Sequence, residues 1–503
     1  MSTVPIAISS KEKSWISEIN LRFILGVLVL PSIGAALRFH QIGLKPLWFD
    51  EGMSLGCAQL SWHDSLSLAI REPVQWPFYL ALKFSLLLGN SETFVRLPST
   101  LFMIAAIPLL FIAARRLLGE VAALIATALF VFSAEMVKYA QEARSYGLEV
   151  FLLILSLYLL TNLVERPTRR NQLAYVLICA LAVYAHMYSA LVIAAQGLSL
   201  FALPANNFRP LRWLQTYASI VLITIPMWIF VARIPARETY YMTPLSPQYA
   251  YYVFQHLFGN AGPLLVLVYS ILFAASVIAV IFILRSQGRS RESWVRLLPI
   301  MWTGLPILMT VTATYLGKPS FGERYLVMCV AGLVLLTASL VASLRRAALI
   351  LPLVLVLSVA GYAGVRNYYH VDYERIPENY PELANFIANN SAAGDAIVFY
   401  WSRMEIPYRY YMNRFPSRVP RPESIYPTPR SVDPLRIIAV EGPPQFGTAG
   451  YSRVWLVVHR MATMRSDPAI DQITTTLDNE FSLEQVANFN TFTVMLYVRN
   501  PKP

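Results

Sequence analysis

"PFYLALKFSLLLG", residues 77–89, is apolar with a helical period, yet it has only 13 residues and carries Lys83 near its middle. Whether this stretch crosses a bilayer sets the sidedness of everything that follows it. A crossing helix needs about 20 mostly apolar residues. A run this short reads as an interfacial or re-entrant helix, with a tilted short span as the alternative. Residues 40–96 then form one large loop with amphipathic helices, between apolar runs at 19–39 and 97–115.

The composition supports a lipid solvent. Of 503 residues, 56% are hydrophobic and 14% charged, against roughly 25% charged in soluble proteins. The net charge of +12 sits in short clusters between apolar runs, a placement that fits the positive-inside rule better than nucleic-acid binding. Cys57, Cys179 and Cys329 lie far apart, so neither a disulfide framework nor a zinc site follows. Lys11 and Lys13 precede the 19–39 run, which reads as a retained signal-anchor.

Further apolar runs fall at 119–138, 147–164, 172–187, 188–204, 213–232, 263–284, 295–315, 325–344 and 347–365. Basic clusters at 115–116, 166–170, 209–212, 285–296 and 345–346 occupy alternate junctions. That phase predicts about eleven spans in a mainly α, polytopic membrane bundle over 1–365, with a cytoplasmic N-terminus. After Tyr362 the composition turns mixed and proline-rich. Runs at 396–400, 435–440, 453–459 and 492–499 read as strands, and 381–395 and 468–481 as amphipathic helices. The expectation is a small soluble α/β domain over 366–503, on the external (periplasmic or extracellular) side.

With this topology four external loops hold the ionisable residues. They are "WFDEG" (48–52), "KYAQEARSYG" (138–147), "YAHMY" (184–188) and "LGKPSFGERY" (316–325). Each has a plain reading. Asp50 and Glu51 suit the N-terminus of a helix at 51–60, Glu142 and Arg144 suit a local pair, His186 an interfacial hydrogen bond, and Lys318 and Arg324 lipid headgroups. Together they describe a cavity with carboxylates at one end and cations at the other. Such a layout suits transfer of a sugar from a lipid phosphate. Cations would stabilise the leaving phosphate, and a carboxylate on the opposite face would take the acceptor proton in an inverting displacement. The sequence holds no Walker A loop or Rossmann glycine fingerprint.

In this order the motifs resemble the GT-C membrane glycosyltransferases, in particular the protein O-mannosyltransferase and aminoarabinose-transferase group. "WFDEG" is similar to the acidic motif of their first external loop, and "QEARSY" (141–146) to a form of their second. "QWPFYLAL" (75–82) resembles their His-Pro-Pro-Leu segment, with Arg96 and Pro98 following, and "ERY" (323–325) their late Arg-Tyr. Here Gln75 and Trp76 stand where the family has His and the first Pro, a departure that puts any metal or phosphate role of that histidine in doubt. The resemblance covers roughly 19–345. It implies Asp50 as general base with Glu51 beside it, and Arg96, Arg324 and Tyr325, with Lys318, at the donor phosphate. Gln75, Trp76, Glu142, Arg144, Tyr146 and His186 would line the cavity. It also implies an undecaprenyl-phosphate sugar as donor, a hydroxyl of a cell-envelope glycolipid, polysaccharide or protein as acceptor, and a multi-pass cell-membrane location. No cofactor is required by the sequence; a divalent metal would have to draw on Glu51, Glu142 and His186. Three other readings compete: a ligase or polymerase using a polyprenyl-pyrophosphate glycan; a flippase or transporter, which the scarcity of charge at span centres disfavours; and an inactive membrane scaffold, which would tolerate Asp50→Asn.

Overall fold

Among the described residues seven helices are long and apolar enough to cross a membrane: Leu21–Phe39, Glu92–Leu118, Tyr146–Glu165, Pro210–Arg233, Pro263–Gln287, Arg291–Tyr315 and Ala347–Val371. The structure is a computed structural model that describes residues 21–205, 208–233, 245–318, 320–372, 378–427, 446–460 and 468–501. The expected count of eleven spans is not confirmed. The other four expected positions hold shorter helices: Glu120–Val131, Arg169–Ala185, Ser189–Ala202 and Cys329–Ala342. At 1.5 Å per residue, a helix of 12 or 14 residues falls well short of a hydrocarbon core about 30 Å thick. The Arg169–Ala185 helix opens on two arginines. Lys11 and Lys13 lie outside the described residues.

Residues 77–89 form the ten-residue helix Trp76–Ser85. Its length of about 15 Å cannot bridge a bilayer. Gln75 enters it in the left-handed region at φ 62°, and its N–H is held by the Tyr184 carbonyl at 2.9 Å. The helix packs on Phe49–Gln59, on Glu92–Leu118 and on Arg169–Ala185, so the loop between the first two long helices is folded onto the bundle.

Glu92–Leu118 is the central post. It packs along Tyr146–Glu165 and along Glu120–Val131, to which it is joined through Gly119 at φ 91°, a conformation that a Cβ would strain. Cys329–Ala342 bridges Glu120–Val131 to Arg291–Tyr315, and its apolar side chains are buried almost throughout. The Pro263–Gln287 helix instead exposes Leu264, Ile278 and Phe282, as expected of a lipid-facing element.

The C-terminal part holds a five-stranded sheet in the order β2-β1-β3-β5-β4, from Ala396–Tyr400 (β1), Glu423–Tyr426 (β2), Arg453–His459 (β3), Phe481–Asn488 (β4) and Phe492–Arg499 (β5). β1 runs parallel to β2 and β3, and β5 antiparallel to β3 and β4. Alternation along the strands divides two faces. Ile397, Phe399, Trp455 and Val457 join the core that runs on into the helical bundle and includes Leu383 and Ile387 of the Tyr380–Asn390 helix. Val398, Leu456 and Val458 pack with Ile473 and Leu477 of the Pro468–Asp478 helix. Three of the four expected strands and both helices are present; 435–440 lies outside the described residues. Strands β2 and β4 and the helices Pro247–Leu257 and Glu405–Met412 were not expected.

Candidate active site

The first turn of the Phe49–Gln59 helix carries both Asp50 and Glu51, and the two side chains have different fates. Glu51 is 1% exposed. It receives Arg96 as a fork, Nε on Oε1 at 2.7 Å and Nη2 on Oε2 at 2.8 Å. It also accepts the Ala143 N–H at 2.9 Å and the Trp48 N–H at 3.4 Å, the latter being half of a capping box. The rest of the Arg96 guanidinium donates to the carbonyls of Ile42, Lys45 and Pro46 at 2.7–3.0 Å. All five of its N–H donors are therefore on protein acceptors. The geometry corrects two expectations: Arg96 has no donor for a phosphate, and Glu51 no oxygen for a substrate. The pair ties the first loop to the Glu92–Leu118 helix and to the second loop.

Asp50 is only partly covered. Its Oδ2 lies 3.3 Å from Arg324 Nη1. Arg144 approaches from the other side, with Nη1 3.5 Å from the Asp50 carbonyl and from Ser54 Oγ. The Arg324 guanidinium also lies over the Trp48 ring, 5.4 Å from its centroid. Glu142 completes the acidic side. Burial pushes its carboxyl up to about 7, with Glu51 and Asp50 adding to the rise and Arg324 and Lys138 opposing it. One carboxylate bound to a cation and another poised near neutral pH is an arrangement suited to proton transfer.

An aromatic wall closes the far side. Tyr325 stacks on Tyr188 at 5.1 Å and on His186 at 6.4 Å, and Tyr146 lies 5.4 Å from the His186 ring. The structure thus brings together Asp50, Glu142, Arg144, Tyr146, His186, Arg324 and Tyr325. Gln75 is buried at the entrance of its helix, with Oε1 facing no partner. Trp76 instead lines an apolar cavity with Trp62, Leu80 and Lys83. Lys318 is exposed on the turn after Arg291–Tyr315 and, among the described residues, its side chain is not bonded to this cluster. Among the described residues no group of three or more His, Cys, Asp or Glu is placed to hold a metal ion. With the Glu51 oxygens already committed, the set Glu51, Glu142 and His186 does not fit one.

Sequence reading missed the groups that act from a distance. The C-terminal domain grips the first loop: Glu378 Oε2 accepts the Phe49 N–H at 2.6 Å, and Tyr411 Oη accepts the Leu47 N–H at 2.7 Å. Nothing local in the sequence signals contacts this distant. Glu149, fully buried beside His186, did carry a signal, because an acid inside an apolar span is costly and reads as functional by default.

A family model described as dolichyl-phosphate-mannose-protein mannosyltransferase matches residues 72–231, the stretch that includes Gln75, Arg96, Glu142, Arg144 and His186. No curated protein matches the sequence significantly. Among solved structures the chain is similar to ArnT from Cupriavidus metallidurans, bound to undecaprenyl phosphate, with a TM-score of 0.59 and 13% identity, covering 95% of this chain and 99% of that one. The apo form of that protein gives a TM-score of 0.57 at the same identity and coverage. The oligosaccharyltransferase of Archaeoglobus fulgidus in complex with Zn and sulfate gives 0.49 and 12% identity over 86% of this chain and 67% of that one. The chain thus shares the fold of ArnT along nearly its whole length, and its 72–231 stretch matches the dolichyl-phosphate-mannose-protein mannosyltransferase family model.

Proposed function

We propose that this multi-pass membrane protein moves one sugar from a polyprenyl phosphate, of the undecaprenyl class, to a hydroxyl of a cell-envelope acceptor, with inversion. The reading places the reaction on the external face of the cell membrane, where the 366–503 domain covers the 1–365 bundle. The observation that carries it is the Asp50–Arg324 contact at 3.3 Å. In the absence of donor, the guanidinium is neutralised by Asp50. A donor phosphate takes that place, since phosphate is a strong partner for a guanidinium, and so frees the carboxylate at the moment it is needed. The acceptor oxygen then bonds to the anomeric carbon as the carbon–oxygen bond to phosphate breaks. The acceptor proton goes to Asp50, and the phosphate leaves on its lipid as an anion held by Arg324 and Tyr325. Arg144 holds the Asp50 turn in place, and Glu142 tunes the charge of the cavity. The binding of undecaprenyl phosphate by ArnT supports the donor class.

Mass spectrometry of lipids and envelope glycans from a deletion strain tests this reading. It predicts accumulation of a monosaccharide on polyprenyl phosphate, and loss of that one sugar from an envelope component. Accumulation of an oligosaccharide on polyprenyl pyrophosphate would favour a ligase or polymerase instead.

A further inference from the structure

The carboxyl ends of two parallel strands of the C-terminal sheet meet the helix that carries Asp50. β1 ends at Tyr400 and β3 at His459, in a register that sets Tyr400 beside Val458. The rings of Trp401 and His459 stack at 4.4 Å with 14° between their planes, and the Trp401 ring meets that of Phe49 edge-on at 6.2 Å. Glu378, just ahead of the Tyr380–Asn390 helix and buried, joins the two parts. Its Oε1 lies 3.6 Å from His459 Nε2, and its Oε2 accepts the Phe49 N–H at 2.6 Å. The first N–H groups of a helix have no partner within it, and a carboxylate is the acceptor that the positive end of a helix favours. Tyr380, without exposed surface, feels both carboxylates: burial, Glu378 and Asp50 hold its hydroxyl pKa well above the ordinary value.

Asp50 itself is tied by Arg324 at 3.3 Å and by the contact of Arg144 with its carbonyl at 3.5 Å. In the proposed reaction the donor phosphate takes Arg324 away. What then fixes the carboxylate is the backbone of its turn, and the Phe49 N–H lies one residue ahead of it. Arg96 holds that turn on the buried side through Glu51. Glu378 holds it on the side of the C-terminal domain, and two separated points fix its orientation. We infer that Glu378 is a positioning residue for Asp50, through which the C-terminal domain keeps the base in place once Arg324 has turned to phosphate. This inference rests on Asp50 being the base.

The experiment measures release of undecaprenyl phosphate by purified variants added to membranes of the deletion strain, which hold donor and acceptor, and binding of undecaprenyl phosphate beside it. Misplacing a reacting group by 1 Å costs on the order of 10²-fold. Glu378→Ala should therefore lower kcat roughly ten- to a hundredfold and bind the lipid as the wild type does. Glu378→Gln, whose amide oxygen still accepts the Phe49 N–H, should keep most of the rate. Glu378→Asp, one methylene shorter, should fall between the two and carries the test if the alanine variant does not fold. Arg414→Ala removes another tie of the same seam, to Glu92, and should leave turnover near the wild-type rate. In an Asp50→Asn protein, Glu378→Ala should cost nothing more, since the place of a group that cannot take the proton no longer matters. A merely structural role would lower the rate again. Wild-type turnover in the folded alanine or aspartate variant, a glutamine variant as slow as the alanine one, an equal fall in Arg414→Ala, or a further loss in the double variant would overturn the inference and leave Asp50 as base. Wild-type turnover in Asp50→Asn alone would overturn both.

Discussion

Arg96 places its five donors on Glu51 and three carbonyls, whereas Arg324 makes one ion pair, with Asp50, and rests on Trp48. The two should therefore fail differently. Arg96→Ala leaves a buried carboxylate unpaired, and breaking such a pair costs roughly 3–5 kcal/mol. Its first effect should be a lower unfolding temperature. Arg324→Ala leaves the first loop intact and should weaken undecaprenyl phosphate binding by roughly 1.5–3 kcal/mol, the range for a charge-assisted contact; Lys there should restore only part, for lack of a fork. Thermal unfolding and lipid binding measured on both variants check the division. A stable Arg96→Ala protein with weakened lipid binding would return Arg96 to the phosphate. The sequence showed that both arginines matter and could not separate them. Adjacent residues on a helix point about 100° apart, and whether Asp50 or Glu51 turned inward depended on a guanidinium 45 residues away.

At the scale of elements, the Phe49–Gln59 helix is held from three directions: by Arg96 below, by the second loop through Ala143 N–H, and by the C-terminal domain from the other side. Gly52 makes that last approach possible. A Cβ there would stand 2.8 Å from the Pro407 ring of the Glu405–Met412 helix, and one at Gly56 3.1 Å from Ile406. Arg414 adds a fork to Glu92 at 2.8 Å, and Tyr410 a bond to the Asn90 carbonyl at 2.7 Å. Gly52→Ala should thus push the two elements apart and lower kcat with little change in lipid affinity, because Asp50, the proposed base, moves while Arg324 stays. Steady-state kinetics set against lipid binding reads this; a fall in affinity with kcat intact would contradict it. Hydropathy and period sufficed for the short 77–89 helix and for β1, β3 and β5, whose apolar runs are buried on the sheet. They did not reveal β4, "FSLEQVAN", whose side chains are mostly exposed at the sheet edge and lack the buried alternation that marks a strand.

For the whole molecule, one hydrophobic core runs from the bundle into the near face of the sheet, and the loops bearing Asp50, Glu142, His186 and Arg324 meet between the two parts. Arg115 and Arg116 stand at the end of their helix away from Arg96, and Arg166 at the end of its helix away from Tyr146; on the proposed reading that end is cytoplasmic, lipid phosphate enters laterally and acceptor arrives under the C-terminal domain. The decisive measurement is turnover of a purified Asp50→Asn protein with a polyprenyl-phosphate sugar, followed by release of the polyprenyl phosphate. The side chain keeps its size but cannot take the acceptor proton, and general-base catalysis contributes about 10²–10⁴-fold. The account predicts a loss of that size with undecaprenyl phosphate still bound; turnover near the wild-type rate would contradict it.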